Sequence, residues 1–298
     1  MDKWDDLKFV LAVAKAGNLS AAARKLGVNH STVSRRLTAL ETGIGARLFD
    51  RLPDGLVPTD AGREAVDTAK RVEAEVLSLD TRITARDGEL EGPLRITAAQ
   101  LIFQAGLSDI MARFAEAHPK IELSMLASNE LLSLTRREAD VAVRVTDRPD
   151  EGLFGRLATG QRRGFYASRS FVNTHGEALS GSEDDAPIPY VAFKWWGESP
   201  PKEIRSRFPN AVTSVVCDDM IALHSAVRAG MGIGRMPCFL GDTDPQLVRV
   251  PGFELVRYFD IWVLTHPELK NVERIRRFMR FAAEEFRQRS QLFMGEGQ

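Results

Sequence analysis

Apolar positions in the first third of the chain recur at helical spacing. Trp4, Leu7, Leu11 and Ala14 repeat every three or four residues and predict a helix over 4–15 that Gly17 ends. Ser20 stands where it would N-cap a short second helix over 21–26, whose small residues let a neighbour approach closely, and Gly27 supplies a turn. A third helix is predicted over 31–41, with Val33, Leu37 and Leu40 as its buried stripe. At about 100° per residue, the opposite face carries Ser31, Arg35 and Thr38, with Thr32 and Ala39 beside them and Ser34 and Arg36 on the flanks. Leu48-Phe49 and Leu56-Val57 flank Pro53-Asp54-Gly55, which reads as a hairpin turn because proline presets φ and glycine accepts a positive one. Thr59 then caps a long helix over 60–86, in which Ala65, Ala69, Val72, Val76, Leu79 and Ile83 alternate by four and three. No other local element covers this seam, which suggests pairing with a second chain; the alternative is a lone amphipathic helix on its own domain.

Gly88, Gly92 and Pro93 break that helix, and the pattern changes. Strands are predicted at 94–97, 121–126 and 141–145, with helices to His118 and over 130–138 between them. The alternation restarts near Tyr166, with strands near Val191, Val215 and Gly232, a helix over 220–229, a strand over 258–265 and a basic amphipathic helix over 272–289. Strands alternating with helices imply an α/β domain with a largely parallel sheet, here in two lobes with a cleft between them. In such sheets ligands sit beyond the carboxyl ends of the strands. Those ends offer Thr97, Ala98, Gln100, Ser128, Arg144, Phe193, Trp195 and Asp218 as binding residues. Thr97 and Ser128 also lie near helix starts, where backbone N–H groups attract anions. Arg144 either clamps a carboxylate or pairs with Asp140 or Asp147, and Trp195 and Trp196 either floor a pocket or anchor a loop.

Charge narrows the function. The 298 residues carry a net charge of −1, so any nucleic-acid footprint must be local. It is: between Arg24 and Arg51 the chain carries six basic and two acidic residues, +4 net. A helix, a small-residue helix, a glycine turn and a third helix followed by a hairpin is the winged helix-turn-helix pattern. Its DNA-facing candidates are Ser20, Arg24, Asn29, His30, Ser31, Thr32, Ser34, Arg35, Arg36, Arg51 and Thr59. Arg35 is placed for base edges, while Arg36, Arg51 and the Ser20 and Thr59 hydroxyls are placed for phosphates. His30 either meets DNA or is a surface turn residue.

No apolar run approaches the roughly 20 residues of a membrane span, and the N-terminus does not read as a signal peptide, which places the expected site of action in the cytoplasm, away from membranes. Cys217 and Cys238 are either buried thiols or a redox pair. Gly230-x-Gly-x-Gly follows a helix where a dinucleotide fingerprint needs a strand, and the chain shows no nucleophile elbow, metal spacing or phosphate loop. The expectation is a non-enzyme without cofactor or metal.

Gly17-Asn-Leu-Ser-Ala-Ala-Ala-Arg-Lys-Leu26, Val28-Asn-His-Ser-Thr-Val-Ser-Arg-Arg-Leu37 closing with Leu40-Glu41, Leu48-Phe49-Asp-Arg51 and Thr59-Asp-Ala-Gly62 form an ordered set that resembles the LysR-type transcriptional regulators. Ala139-Asp-Val-Ala-Val-Arg144, Gly230-Met-Gly-Ile-Gly-Arg-Met-Pro237 and His266-Pro-Glu-Leu with Arg274-Ile-Arg-Arg-Phe278 look like the family's effector domain and closing helix. The resemblance implies an N-terminal winged helix-turn-helix with a linker helix, all α apart from the wing. It also implies a C-terminal α/β effector domain of two lobes, similar to type 2 periplasmic binding proteins. The boundaries expected are 1–59 for the DNA-binding domain, 60–87 for the dimerising linker helix, 88–92 for a hinge and 93–298 for the effector domain. Lobe I is expected over about 93–161 and 266–298, and lobe II over about 162–265. Partners implied are double-stranded DNA, a small-molecule effector such as an organic anion between the lobes, and further copies of the chain as a homodimer or homotetramer; RNA polymerase is a further candidate. Where many relatives begin the recognition helix with Ser-Gln-Pro, this chain has Asn29-His30-Ser31-Thr32, so the bases read are expected to differ. The competing readings are a redox-sensing regulator using Cys217 and Cys238, and a solute-binding protein for transport.

Overall fold

A computed structural model describes residues 5–52, 55–84, 90–128, 139–180 and 187–296. The predicted helix over 130–138, the turn residues Pro53 and Asp54, and Trp4, Gly88 and Asn129 lie outside these. The chain separates into an N-terminal and a C-terminal unit, each with its own core.

The N-terminal unit holds helices α1 (Asp5–Ala16), α2 (Leu19–Leu26), α3 (His30–Ile44) and α4 (Asp60–Thr84), with the antiparallel hairpin β1 (Phe49–Leu52) and β2 (Gly55–Pro58) between the last two. Val10, Val13, Ala22, Val33, Leu37, Leu40 and Leu48 are buried together, as the helical spacing predicts. Two expectations are corrected. Asn18, not Ser20, caps α2: its extended backbone lets Oδ1 accept from the Ala21 N–H at 2.7 Å, and Ser20 lies exposed inside the first turn. The α4 seam is also not bare. Ala65, Ala69 and Val72 pack onto the core beneath α1, and Val76 remains exposed; the side chains of Leu79 and Ile83 lie outside the described part.

Polar contacts fix the hairpin to its supports. The Glu41 carboxylate accepts the N–H groups of Leu48 (2.7 Å) and Phe49 (3.3 Å), tying the end of α3 to β1. Thr59 Oγ1 donates to the Arg47 carbonyl at 2.7 Å and accepts from the Gly62 N–H at 3.0 Å, so one hydroxyl both caps α4 and clasps the loop before β1. Gly62 is required there, because a Cβ would overlap the Leu48 carbonyl oxygen.

The C-terminal unit is built on a sheet of nine strands among the described residues. Strands β3 (Gly92–Ala98), β4 (Ile121–Ala127) and β5 (Val141–Thr146) are mutually parallel through β3 at one end. Strands β7 (Pro189–Phe193), β8 (Val212–Cys217) and β9 (Ile233–Pro237) are parallel through β7 at the other. These are the cores of two lobes. Between them run β6 (Phe154–Ser168) and β11 (Val256–Thr265), antiparallel to each other and to their neighbours β9 and β5, and short β10 (Leu247–Arg249) pairs with the end of β6. The expected largely parallel sheet is therefore mixed: each lobe is parallel, but two long crossing strands join them. Chain reversal over one continuous sheet makes these joins antiparallel.

Helices cover the sheet as alternation demands. On β6, Phe165 and Ala167 face a core with Phe171 and Ile204, while Tyr166 between them faces a second core with Leu223 and Val227. Here Ile204 belongs to α8 (Lys202–Arg207), Phe171 to α7 (Arg169–Ser180), and Leu223 and Val227 to α9 (Met220–Arg228). In the first lobe a helical segment of α5 (Gln100–Ile102), a widened turn over Phe103–Leu107 and α6 (Ser108–Ala117) packs with α11 (Glu273–Gln288) after the short α10 (Cys238–Gly241); Phe114 meets Phe278 edge-on at 5.1 Å. The short α12 (Ser290–Met294) closes the chain against α10, where Phe293 stands 5.0 Å from Phe239. Gly232, just before β9, and Gly234 within it allow close approach: a Cβ at Gly232 would strike the Pro189 carbonyl and one at Gly234 would strike Val227.

Two glycine substitutions separate these roles. Gly62→Ala should lower the unfolding free energy by about 1–3 kcal/mol, since the obstructing atom is backbone and cannot rotate away. Gly43→Ala, inside α3 with open space around its Cβ, should raise it by about 0.4–1 kcal/mol. Chemical denaturation of both variants checks the pair.

Candidate DNA-reading surface and ligand cleft

On α3 the residues opposite the buried stripe are open to solvent. His30, Ser31, Arg35 and Thr38 are exposed and Thr32 and Ser34 half-buried; Asn29, just before the helix, and Arg24 and Arg51 on adjoining elements are exposed too. Thr59 is half-buried with its hydroxyl already engaged. Arg36 is turned toward α1: its Nη1 donates to Asp6 Oδ1 at 2.8 Å and its guanidinium lies 5.6 Å from the Phe9 ring. The α3 surface thus offers a small, hydroxyl-rich, cationic face framed by a fixed hairpin.

The C-terminal unit contains a cleft of about 830 Å³. Of the ligand residues expected from the strand ends, Phe193, Trp195 and Asp218 line it; Thr97, Ala98, Gln100, Ser128 and Arg144 are not among its lining residues. Thr97 is buried and its hydroxyl donates to the Leu126 carbonyl at 2.9 Å, and the Ala98 carbonyl accepts from the Ser128 N–H at 3.0 Å, so both are committed to the sheet. Gln100 is exposed at the start of α5. Arg144 is half-buried opposite Trp262; of the acids weighed as its partner, Asp140 is occupied by Arg95, which approaches it at 2.9 Å.

Most of the cleft's distinctive chemistry comes from the crossing strands, which strand-end logic does not reach. Gln161 and Arg163, two apart on β6, share one face and both line the cleft. Gln161 is only 1% exposed, yet neither its Oε1 nor its Nε2 has a hydrogen-bond partner among the described residues. The Arg163 guanidinium lies 4.3 Å from the Trp196 ring centroid and 4.9 Å from that of Tyr258, and its buried Nε also lacks a partner among the described residues. Burial, and then the neighbouring Arg235 charge, push Arg163 below the usual guanidinium range. Arg235 is itself paired with Glu203 at 2.6 Å.

On β11 the register explains the aromatic wall. Tyr258 stands across from Gln161 and Ile261 from Thr159, so three steps on β11 span two on β6. This bulge places an extra residue in β11, and consecutive Tyr258 and Phe259 both line the cleft, stacked 4.9 Å apart at 20°. Trp196 packs edge-on against Tyr258 at 5.2 Å and against Phe193 at 5.0 Å. Trp195 is 72% exposed but anchored, its indole N–H donating to the Asp218 carbonyl at 3.0 Å. The N-terminus of α9 also reaches the cleft, but Asp219 caps it by accepting from Ile221 and Ala222 at 2.8 and 3.0 Å, so that helix end already holds a carboxylate.

Two family models match this chain. A LysR substrate binding domain covers residues 87–287, and a bacterial regulatory helix-turn-helix protein of the lysR family covers residues 4–63. The chain belongs to the LysR family of transcriptional regulators. Relatives of this LysR-type regulator include an HTH-type transcriptional regulator of Xanthomonas campestris, 30% identical over 77% of this chain and 68% of its own length. Another is the Mau operon transcriptional activator of Paracoccus denitrificans, 25% identical over 95% of this chain and 96% of its own. A crystal structure of full-length CbnR complexed with its target DNA shares the fold, with a TM-score of 0.63 and 21% identity, covering 94% of this chain and 99% of that one. The winged helix-turn-helix is thus the DNA-binding domain of a LysR-type regulator, and the two-lobed unit is its substrate-binding domain. Among the described residues, no helix is long and apolar enough to cross a membrane.

Both cysteines of this regulator are free and buried, Cys217 at the end of β8 and Cys238 at the start of α10. Burial pushes both thiols up, with Asp218 and Asp219 adding to the effect at Cys217. A raised thiol stays protonated at neutral pH, and the thiolate is the reactive form. Peroxide treatment at pH 7 should therefore leave the free-thiol count of the native protein unchanged; loss of both thiols together would revive the redox-pair reading.

Proposed function

We propose that this regulator binds double-stranded DNA through the outer face of α3, works as a dimer through α4, and changes its DNA-bound arrangement when a small molecule fills the C-terminal cleft. The exposed Ser31–Arg35–Thr38 face, opposite a fully buried apolar stripe and beside an anchored hairpin, is the observation that carries this reading. A helix with that face can enter the major groove, where guanidinium and hydroxyl groups meet base edges. Arg35 is the base-reading candidate, and Arg51 with Ser20 the phosphate-positioning ones.

Support for the dimer is a groove of about 450 Å³ beside α4, lined by Leu7, Leu11, Leu26 and Val76 and edged by Lys8, Lys15 and Lys25. A second copy's α4 would cover it. Effector control requires a ligand with different affinity for two arrangements of the lobes. Support for that is the cleft itself, which draws residues from β5 and α5 on one side and from β7 and α9 on the other. Homologous regulators are not enzymes, and a purely regulatory role is our reading here too. Action in the cytoplasm, a homotetramer and contact with RNA polymerase extend the same reading.

Footprinting of the purified protein on its own upstream region, at stated salt, tests the core of this. Protection of a dyad-symmetric site is expected. Arg35→Ala should weaken that binding by about 1–3 kcal/mol and relax specificity at one position; an equal loss on all sequences would make Arg35 a phosphate contact. Separately, Val76→Glu should lower the oligomer mass measured by light scattering, and an unchanged mass would remove α4 from the interface.

A further inference from the structure

The geometry of the cleft points to its ligand: we propose that it takes an aromatic monocarboxylate with a hydrogen-bond donor beside the carboxylate, held by Arg163 and Gln161. The inference rests on the reading of the cleft as an effector site and adds the chemical class that occupies it.

Arg163 supplies the first part. Its guanidinium carbon stands 4.3 Å from the Trp196 ring centroid and 4.9 Å from that of Tyr258. Neither ring face is a conventional acceptor for its N–H groups, the buried Nε has no partner among the described residues, and the guanidinium fork suits a planar, two-oxygen anion. No carboxylate forms an ion pair with Arg163 among the described residues; the like charge of Arg235 acts on it more strongly than the opposing carboxylate of Glu203. A guanidinium held in that setting gains most from an anion. The helix end at α9 offers no rival anion site, because Asp219 occupies it.

Gln161 supplies the second. An amide that is 1% exposed with both ends unpartnered is expensive unless something completes it. Its Nε2 can donate to a carboxylate oxygen of the ligand, and its Oε1 can accept only from a donor, which calls for a hydroxyl or N–H next to the carboxylate. The body of the ligand follows from the wall. Phe193, Trp196, Tyr258 and Phe259 are already packed against each other, so a ring stacks on them at little ordering cost. Asp147 and Asp218, exposed at the rim, repel a second negative charge, which favours a monoanion over a dicarboxylate.

Isothermal titration calorimetry on the full-length protein tests this with defined probes: 2-hydroxybenzoate and 3-phenyllactate against benzoate, benzamide and phthalate. At least one of the first two should bind, with benzamide and phthalate weaker by roughly 10- to 100-fold. Arg163→Gln should lower the affinity of the acids by a similar factor, and Gln161→Leu should erase the preference for 2-hydroxybenzoate over benzoate. Thermal unfolding of both variants confirms that they fold. Benzamide binding as well as the acids, or affinities unmoved in both folded variants, would overturn the assignment. Footprinting runs alongside on the same protein. Absence of binding by every acid, with DNA still protected, would overturn the ligand class and leave the regulator reading intact. Acid binding that needs Arg163 but leaves the footprint unchanged would uphold the ligand class and count against its role as effector.

Discussion

The pairing of β6 with β11 sets what the C-terminal unit can do. These two strands are the ones that pass between its parallel halves, and the cleft's most buried polar groups ride on them. Their backbone must be satisfied by each other and by β5 and β9, so their side chains are placed by register. A two-residue period sends Gln161 and Arg163 to one face, and the single extra residue after Tyr258 breaks that period on the facing strand. Without the bulge, Tyr258 and Phe259 would point to opposite faces of the sheet and half of the aromatic wall would be lost from the cleft.

The same strands explain why the cleft tolerates unfavourable electrostatics. A half-buried guanidinium beside a like charge, and an amide buried without partners, each lower the stability of the fold. The rigid sheet on either side bears that cost. Two other charged pairs of the unit are closely met: Asp140 accepts the Arg95 N–H at 2.8 Å and pairs with its guanidinium, and Arg249 donates to both oxygens of Asp242 at 2.8 and 2.5 Å.

How much of this could be read from residues alone follows from the range of each interaction. In the N-terminal unit the decisive contacts are local, and the motifs name their own participants. Glu41 reaches Leu48 seven residues on, and Thr59 caps its own helix, so the ordered Leu40-Glu41, Leu48-Phe49 and Thr59-to-Gly62 segments announce the winged helix. Even there Ser20 and Asn18 are both competent caps, and only backbone angles choose Asn18. The burial of Ala65, Ala69 and Val72 beneath α1 was equally hidden, because a heptad seam has the same spacing whether it meets its own chain or another. In the C-terminal unit, strand-end logic reaches Phe193, Trp195 and Asp218, which sit where parallel strands finish. It misses Gln161, Arg163 and Tyr258, since nothing in a run such as Thr159-Gly-Gln-Arg-Arg-Gly164 signals a fifteen-residue strand crossing between two lobes. A period-2 reading cannot anticipate a bulge either, as the extra residue is defined only by its partner strand.

The placement of these groups bears on how binding in the cleft could be felt elsewhere. Ala99, Leu101 and Val145 belong to the half of the unit built on β3 and β5; Phe193, Trp195 and Met220 belong to the half built on β7 and β8. A ligand confined to Gln161 and Arg163 would touch only the strands common to both halves and would bind every arrangement of them equally. Equal affinity shifts no equilibrium, however tight the binding. A ligand must therefore extend from the polar floor to reach side chains of both halves before it can favour one arrangement. The aromatic residues beside Arg163 lead towards the β7 half, with Trp196 in contact with Phe193 on one side and Tyr258 on the other. Charge fixes one end of the ligand, and the length of its apolar body decides whether the lobes respond.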